Sequence, residues 1–199
     1  MKKCNFGNLK ELCDVHKRGS SSFRMHDTEK IFNEINLKQG ERVLDLGCGP
    51  GDYSLKAAKI VGESGMVYAL DRQEELLSDL KDKACVMGLK NIKTMTCNIT
   101  SPMVFEENSI DVCLIVTVLH IPGVSEKKDN IFKEVYKVLK PGGKLITIDV
   151  KKEDTSFGPP LAMRLEPEDI MLTVDKLGFQ KTKFIDLGYN FMLIFTAIK

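Results

Sequence analysis

Residues 41–52 read Glu41-Arg42-Val43-Leu44-Asp45-Leu46-Gly47-Cys48-Gly49-Pro50-Gly51-Asp52. An apolar run of β-type residues ends in a carboxylate. Three glycines follow at alternate positions, and a helical pattern begins at about Asp52. A strand feeding a glycine-rich turn and then a helix holds a nucleotide-like ligand at the end of a parallel sheet. Glycine lets the main chain come close to that ligand and takes positive φ at no Cβ cost.

Two ligand classes compete for such a turn. A dinucleotide fingerprint would read G-x-G-x-x-G, with a pyrophosphate over the helix N-terminus. Here the glycines are Gly47, Gly49 and Gly51, and the third dinucleotide position is Asp52. A carboxylate there would repel a pyrophosphate and crowd helix against strand. Asp45 instead suits a ligand with an ammonium or sulfonium charge. S-adenosylmethionine (SAM) is such a ligand: a nucleoside without phosphate, a cationic sulfur and an amino-acid tail.

The stretch Asp45–Asp52 resembles the first motif of class I SAM-dependent methyltransferases. A second strand, Met66-Val67-Tyr68-Ala69-Leu70-Asp71, ends in an acid at a suitable distance, and Lys140-Pro141-Gly142-Gly143 precedes another apolar strand, as in that family. Asp149-Val150-Lys151-Lys152-Glu153 and then Gly158-Pro159-Pro160 resemble a small subgroup allied to the ubiquinone/menaquinone-biosynthesis methyltransferases. The resemblance runs from about residue 38 to the end of the chain. It implies an α/β, three-layer Rossmann-like fold with a seven-stranded, mostly parallel sheet in the order 3-2-1-4-5-7-6. It also implies one domain over residues 1–199, with residues 1–36 covering the cleft.

The site residues follow. Asp45, Gly47, Cys48, Gly49 and Gly51 line the cofactor turn. Asp71, at a strand end, can accept hydrogen bonds from both ribose hydroxyls, or cap the next helix. Arg72 stands beside the adenine or in solvent. By resemblance, Asn98 and Ile99 read the adenine amino group; an Asx-turn is the plainer role for Asn98. The run from Ile110 to Leu119 is nearly continuous apolar, as a strand buried on both faces requires, and Thr117 falls near its carboxyl end. His120 follows, where the resemblance places the methyl-acceptor pocket. A neutral imidazole there could take a proton from a thiol, hydroxyl or amine, or simply bond a loop carbonyl. Asp149 leaves a strand end on the ligand side and could orient a polar acceptor or belong to a solvated linker. Arg24 and His26 either face ligand or sit on a solvated arm.

Periodicity and breakers predict helices over 28–36, 52–62, 73–87, 126–139 and 166–177. They predict strands over 41–47, 66–71, 92–97, 110–119, 144–150, 180–187 and 190–198. Lys140–Gly143 reads as a tight turn.

Composition narrows the class. At 199 residues one domain with a full core is expected, and 43% hydrophobic with 29% charged is ordinary for a globular chain. A net charge of +1 makes no electrostatic case for nucleic acid or an anionic membrane. No window approaches the length of a membrane span, and Met1–Phe6 has no apolar core behind its lysines, so a cytoplasmic protein is expected. The six cysteines show no C-x-x-C, which reads as reduced thiols and no metal. Cys4, Cys13 and His16 are the one grouping that could bind one.

The expected activity is transfer of the SAM methyl group to a small-molecule acceptor, leaving S-adenosylhomocysteine. A non-catalytic SAM-binding sensor or scaffold is the alternative from another class. An arsenite or thiol methyltransferase is suggested by Cys48 and Cys97 but shows no cysteine triad. A protein or RNA methyltransferase lacks the charge. A dehydrogenase using NAD is disfavoured by Asp52. A homodimer is left open.

Overall fold

The structure is a computed structural model and describes residues 21–199. Seven strands form one sheet: β1 Arg42–Leu46, β2 Met66–Asp71, β3 Ile92–Thr96, β4 Ile110–Val116, β5 Leu139–Val150, β6 Phe179–Asp186 and β7 Asn190–Ala197. Their order is β3-β2-β1-β4-β5-β7-β6, as expected. The pairs from β3 through β5 are parallel, and β7 is antiparallel to both β5 and β6. The helices are α1 Thr28–Ile35, α2 Asp52–Val61, α3 Glu74–Val86, α4 Lys128–Val138 and α5 Pro167–Asp175.

Side-chain alternation sorts the core into two layers. On one face, Val43, Val67, Val112, Leu114, Ile146 and Met192 pack under Ile31, Phe32 and Ile35 of α1 and Ala57, Ala58 and Val61 of α2. On the other, Leu44, Leu46, Ile115, Leu145 and Leu193 pack against Phe132 and Val135 of α4 and Ile170 and Val174 of α5. Central β4 is apolar from Val112 to Val116, where both its faces are covered, with Asp111 the one polar residue near its start. The face-swapping period of two puts Asp45, Asp71 and Asp149 at strand ends, where a carboxylate can meet a ligand.

Local signals set the helix starts. The Asp27 carboxylate accepts from Lys30 N at 3.0 Å and caps α1. Gly51, at φ 82°, turns the chain into α2. A Cβ added at Gly51 would sit 2.4 Å from Leu80 Cδ1, so glycine lets α3 close on the turn. Asn91 is buried, and its Nδ2 donates to Ala58 O and Gly62 O at 2.8 Å each, finishing the last turn of α2.

Three boundaries differ from expectation. β4 ends at Val116 because Thr117, at φ 52°, turns the chain out of the sheet. α4 begins at Lys128 behind a 3₁₀ turn, Ser125–Lys127. Lys140–Gly143 is a bulge inside β5: the register jumps from Ile110↔Leu139 to Val112↔Lys144. Asp111 anchors that bulge by accepting from Lys140 Nζ at 2.6 Å and Arg42 N at 2.8 Å, a structural role.

Cys48, Cys97 and Cys113 are free thiols, as expected. Cys85 is a correction: it is disulfide-bonded, and it stands on the exposed side of α3. Cys4, Cys13 and His16 lie outside the described residues. Among the described residues no cluster of three metal-ligating side chains occurs, and no helix is long and apolar enough to cross a membrane.

Candidate functional site

A cavity of about 320 Å³ opens at the carboxyl ends of β1, β2 and β4. Its lining includes nine of the residues singled out from the sequence: Asp45, Gly47, Cys48, Gly49, Asp71, Arg72, Asn98, Ile99 and Thr117. Gly51 lies one step behind, against Leu80. The turn is held by Gly47 N and Cys48 N, which both donate to Leu70 O, at 2.8 and 2.9 Å. Gly47 must be glycine because a Cβ would sit 2.7 Å from Val118 Cγ2. Gly49 differs: nothing lies within 4 Å of where its Cβ would be, so its main chain faces the open cavity.

Two carboxylates frame that turn. Asp45 is 2% exposed and accepts from Ser54 Oγ at 2.5 Å. Burial pushes its carboxyl up to about 6, against the Ser54 hydrogen bond and with help from the charge of Asp71. Asp71 spends its oxygens on the loop: Oδ2 accepts from Gly49 N and Oδ1 from Gln73 N, each at 2.9 Å. It therefore braces the glycine turn and keeps lone pairs for hydroxyl donors. The apolar walls are Leu76, Ile99, Val118, Ile121 and Val124. Arg72 is exposed at the rim. Asn98 lines the cavity, but its Oδ1 already accepts from Thr100 N and Oγ1, at 3.1 and 2.9 Å. This is the Asx-type arrangement, and it leaves Nδ2 as the group to face a ligand.

Thr117 is a β-branched residue in the left-handed region, a conformation that costs about 1–3 kcal/mol and gathers at functional sites. Its N–H donates to Ile148 O at 2.7 Å, and its hydroxyl meets Ser22 Oγ at 3.2 Å. Sequence reasoning did not find Ser21, Ser22 and Tyr53, which also line the cavity. The Tyr53 hydroxyl bonds His26 Nδ1 at 2.5 Å, and its ring stacks with Phe32 and meets Phe23 edge-on. His26 is buried, and burial holds its imidazole below the ordinary value. His26 and Arg24 do not line the cavity; His26 works through Tyr53 instead.

His120 and Asp149 also stand outside the cavity lining, but the fold brings them together. His120 Nδ1 lies 2.7 Å from Asp149 Oδ1. An ionised carboxylate only accepts, so the contact places a proton on Nδ1 and, in the neutral ring, leaves Nε2 as the acceptor. Asp149 is fully buried; its Oδ1 also accepts from Val150 N at 2.8 Å, and its Oδ2 has no partner among the described residues. The loop carbonyl considered for His120 is not its Nδ1 partner.

Arg164 was invisible in the sequence. It is 4% exposed and gives its guanidinium to four main-chain carbonyls of the loop leaving β5.

A family model described as a methyltransferase domain matches residues 37–184. The chain belongs to that methyltransferase family. The chain is 34% identical over 134 residues to the ubiquinone/menaquinone biosynthesis C-methyltransferase UbiE of Haemophilus ducreyi, covering 66% of this chain and 50% of that one. It is 33% identical over 140 residues to the demethylmenaquinone methyltransferase of Geobacillus kaustophilus, covering 69% and 57%. The chain thus spans about half the length of the curated relatives it matches. Among solved structures, a SAM-dependent methyltransferase from Aquifex aeolicus superposes with a TM-score of 0.81 at 28% identity, covering 96% of this chain and all of that one.

Proposed function

We propose that the protein binds SAM in the β1–β2–β4 cavity and transfers its methyl group to a small-molecule acceptor. The observation that carries this is one cavity with a glycine floor open at Gly49 and two buried carboxylates, Asp45 and Asp71, beside it. A phosphate ligand would meet Asp45, Asp71 and the Asp52 helix start, all of the wrong sign. A cationic nucleoside fits: Asp45 faces the ammonium or sulfonium, Asp71 the ribose hydroxyls, and Ile99, Val118, Ile121 and Val124 a purine. Gly47, Cys48, Gly49 and Gly51 allow close approach, with Arg72, Asn98 and Thr117 at the edges.

SAM, when bound, supplies an activated methyl group and its own leaving group, so the protein's work is mainly positioning and exclusion of water. Thr117 and Ser22, sharing a hydrogen bond, form a polar rim over the methyl end. His120, held by Asp149, is the proton acceptor for an acceptor that must lose a proton. The acceptor is a small aromatic or quinone-like ring, a reading supported by the names of the relatives. The proposal includes a single domain over residues 1–199, with residues 1–36 covering the cleft, where Ser21 and Ser22 stand. It includes a cytoplasmic location, in keeping with the free thiols of Cys48, Cys97 and Cys113, against which the disulfide at Cys85 weighs.

Thermal unfolding with SAM, S-adenosylhomocysteine and NAD tests the cofactor. At about a hundred times its dissociation constant, SAM should add roughly 2.7 kcal/mol, lost in Asp71→Ala and Gly49→Val. Stabilisation by NAD alone would overturn the reading. Release of S-adenosylhomocysteine across a panel of phenolic, quinol and thiol acceptors then separates the enzyme from a SAM-binding scaffold. His120→Ala should lower turnover by about 10²–10⁴-fold; unchanged turnover across pH 6–9 would remove His120 from the chemistry.

A further inference from the structure

We propose that Arg164 is a positioning residue for the His120–Asp149 pair, an inference that rests on the reading of that pair as the proton acceptor. The guanidinium is the hub of the loop between β5 and α5. Nε donates to Pro159 O at 2.8 Å, one terminal nitrogen to Glu153 O at 2.5 Å and Lys151 O at 3.3 Å, and the other to Phe157 O at 2.9 Å. Four of its five N–H groups are thus aimed at main-chain carbonyls from 151 to 159. No carboxylate pairs with it among the described residues. An arginine cannot shed its proton, so this buried charge is carried by carbonyl dipoles alone. Such an arrangement holds a loop, because any carbonyl that leaves exposes an unsatisfied charge.

The loop begins at the pair. Asp149 Oδ1 rests on Val150 N, and the next residue, Lys151, is pinned on both sides. Its N–H donates to Tyr189 O at 3.0 Å, and its C=O accepts from Arg164. Gly158, at φ 85°, bends the loop back so that a Cβ there would lie 3.6 Å from the guanidinium and 3.9 Å from Val150 Cγ1. Arg164 therefore clamps the main chain immediately after Asp149 from two directions. The Asp149 carboxylate has only Val150 N and His120 Nδ1 as hydrogen-bond partners among the described residues, while its main chain pairs with Phe191 of β7. Released from the clamp, the main chain from Lys151 onward frees the last pair of β5, Val150 N shifts off the carboxylate it holds, and His120 loses the fixed partner that sets its tautomer.

The test is the Nδ1–H proton of His120 in ¹⁵N-labelled full-length protein, with no ligand present, assigned by its absence in His120→Gln. In Arg164→Met we expect this downfield signal to be lost to solvent exchange, while SAM affinity by calorimetry stays within about twofold, as for a separate site. Asn91→Ala, destabilised at a distant point, serves as the control and keeps the signal. A folded Arg164→Met that retains the signal overturns the proposal. Should Arg164→Met not fold, Arg164→Lys is read instead: it keeps the charge but cannot span four carbonyls, and retention of the signal there overturns the proposal equally. Because the signal needs no substrate, an inactive pair would remove the proton-acceptor reading and leave the Arg164 linkage measured on its own.

Discussion

Asp45 gives the most exacting prediction. Its carboxyl is buried against β1 and α2, with Ser54 as its hydrogen-bond donor, and is raised from 3.8 to about 6. Desolvation dominates, so the ionised form is the strained one. Two units correspond to about 3 kcal/mol. Between those two values the folded chain holds a proton that the unfolded chain has lost, so stability falls as pH rises through that window. Below pH 3.8 the penalty is absent; above about 6 it is present in full. Asp45→Asn should therefore be more stable than the parent protein at pH 7.5 by up to about 3 kcal/mol, with the difference shrinking to nothing near pH 4. Ligand binding should run the other way. A cation beside Asp45 favours its ionised form, so SAM affinity should rise from pH 5 to 7 in the parent protein and stay nearly flat in Asp45→Asn. Urea unfolding across pH 4–8 and calorimetric titration in buffers of different ionisation enthalpy measure both. Parallel stability curves for the two proteins over this range would refute the strained carboxylate, and with it the account of why a cation is preferred here. If the ammonium is the partner, S-adenosylhomocysteine shows the same pH dependence; if the sulfonium is, only SAM does.

The glycines of the turn should separate by role. Gly51→Ala drives a Cβ into Leu80 at positive φ and should cost about 2–4 kcal/mol in thermal unfolding, whereas Gly49→Ala, with open space at its Cβ, should cost only about 1 kcal/mol yet weaken SAM binding at least tenfold. Equal effects of the two on stability would contradict this division. Asn91→Ala removes two buried bonds at the end of α2 and should cost about 2–3 kcal/mol without changing SAM affinity, checked by chemical denaturation and calorimetry. Tyr53→Phe strips His26 Nδ1 of its partner and should cost about 1–3 kcal/mol; a neutral result would mean that water replaces the phenol.

What could be read in advance was whatever chemistry demands at short range. The glycine turn, the acids at the ends of β1 and β2 and the largely apolar β4 each impose a residue type at a fixed local spacing, so most of the cavity floor followed from them, while the sheet order came from the family resemblance that these motifs carry. The errors were also local, and each has a physical cause. Lys140–Gly143 looks like a turn because proline and glycine break regular pairing, but a strand can absorb the same residues as a bulge when Asp111 ties the excursion down. The end of β4 was set three residues late because Thr117, a good strand former, is held in the left-handed region by contacts to Ile148 and Ser22. A propensity carries no information about either partner.

The unread part of the site is the part made by contacts between distant residues. Ser22 meets Thr117 across 95 positions, and His26 meets Tyr53 across 27. In the sequence, Ser22 is one of three consecutive serines and Tyr53 an aromatic in an amphipathic helix. His120 and Asp149 were each noticed, but as separate strand-end residues. Their pairing depends on β4 and β5 lying side by side with Ile115 opposite Thr147, so that both chains leave the sheet at the same height. Arg164 shows the same thing most sharply. A buried arginine and a solvated one are the same letter, and what separates them here is four carbonyls arriving from a loop that the arginine itself holds in place. The cofactor end of the site is thus encoded in a motif, while the proposed acceptor end is encoded in topology. That is why the cofactor could be argued from one stretch of twelve residues, while the proton-accepting geometry required the assembled sheet.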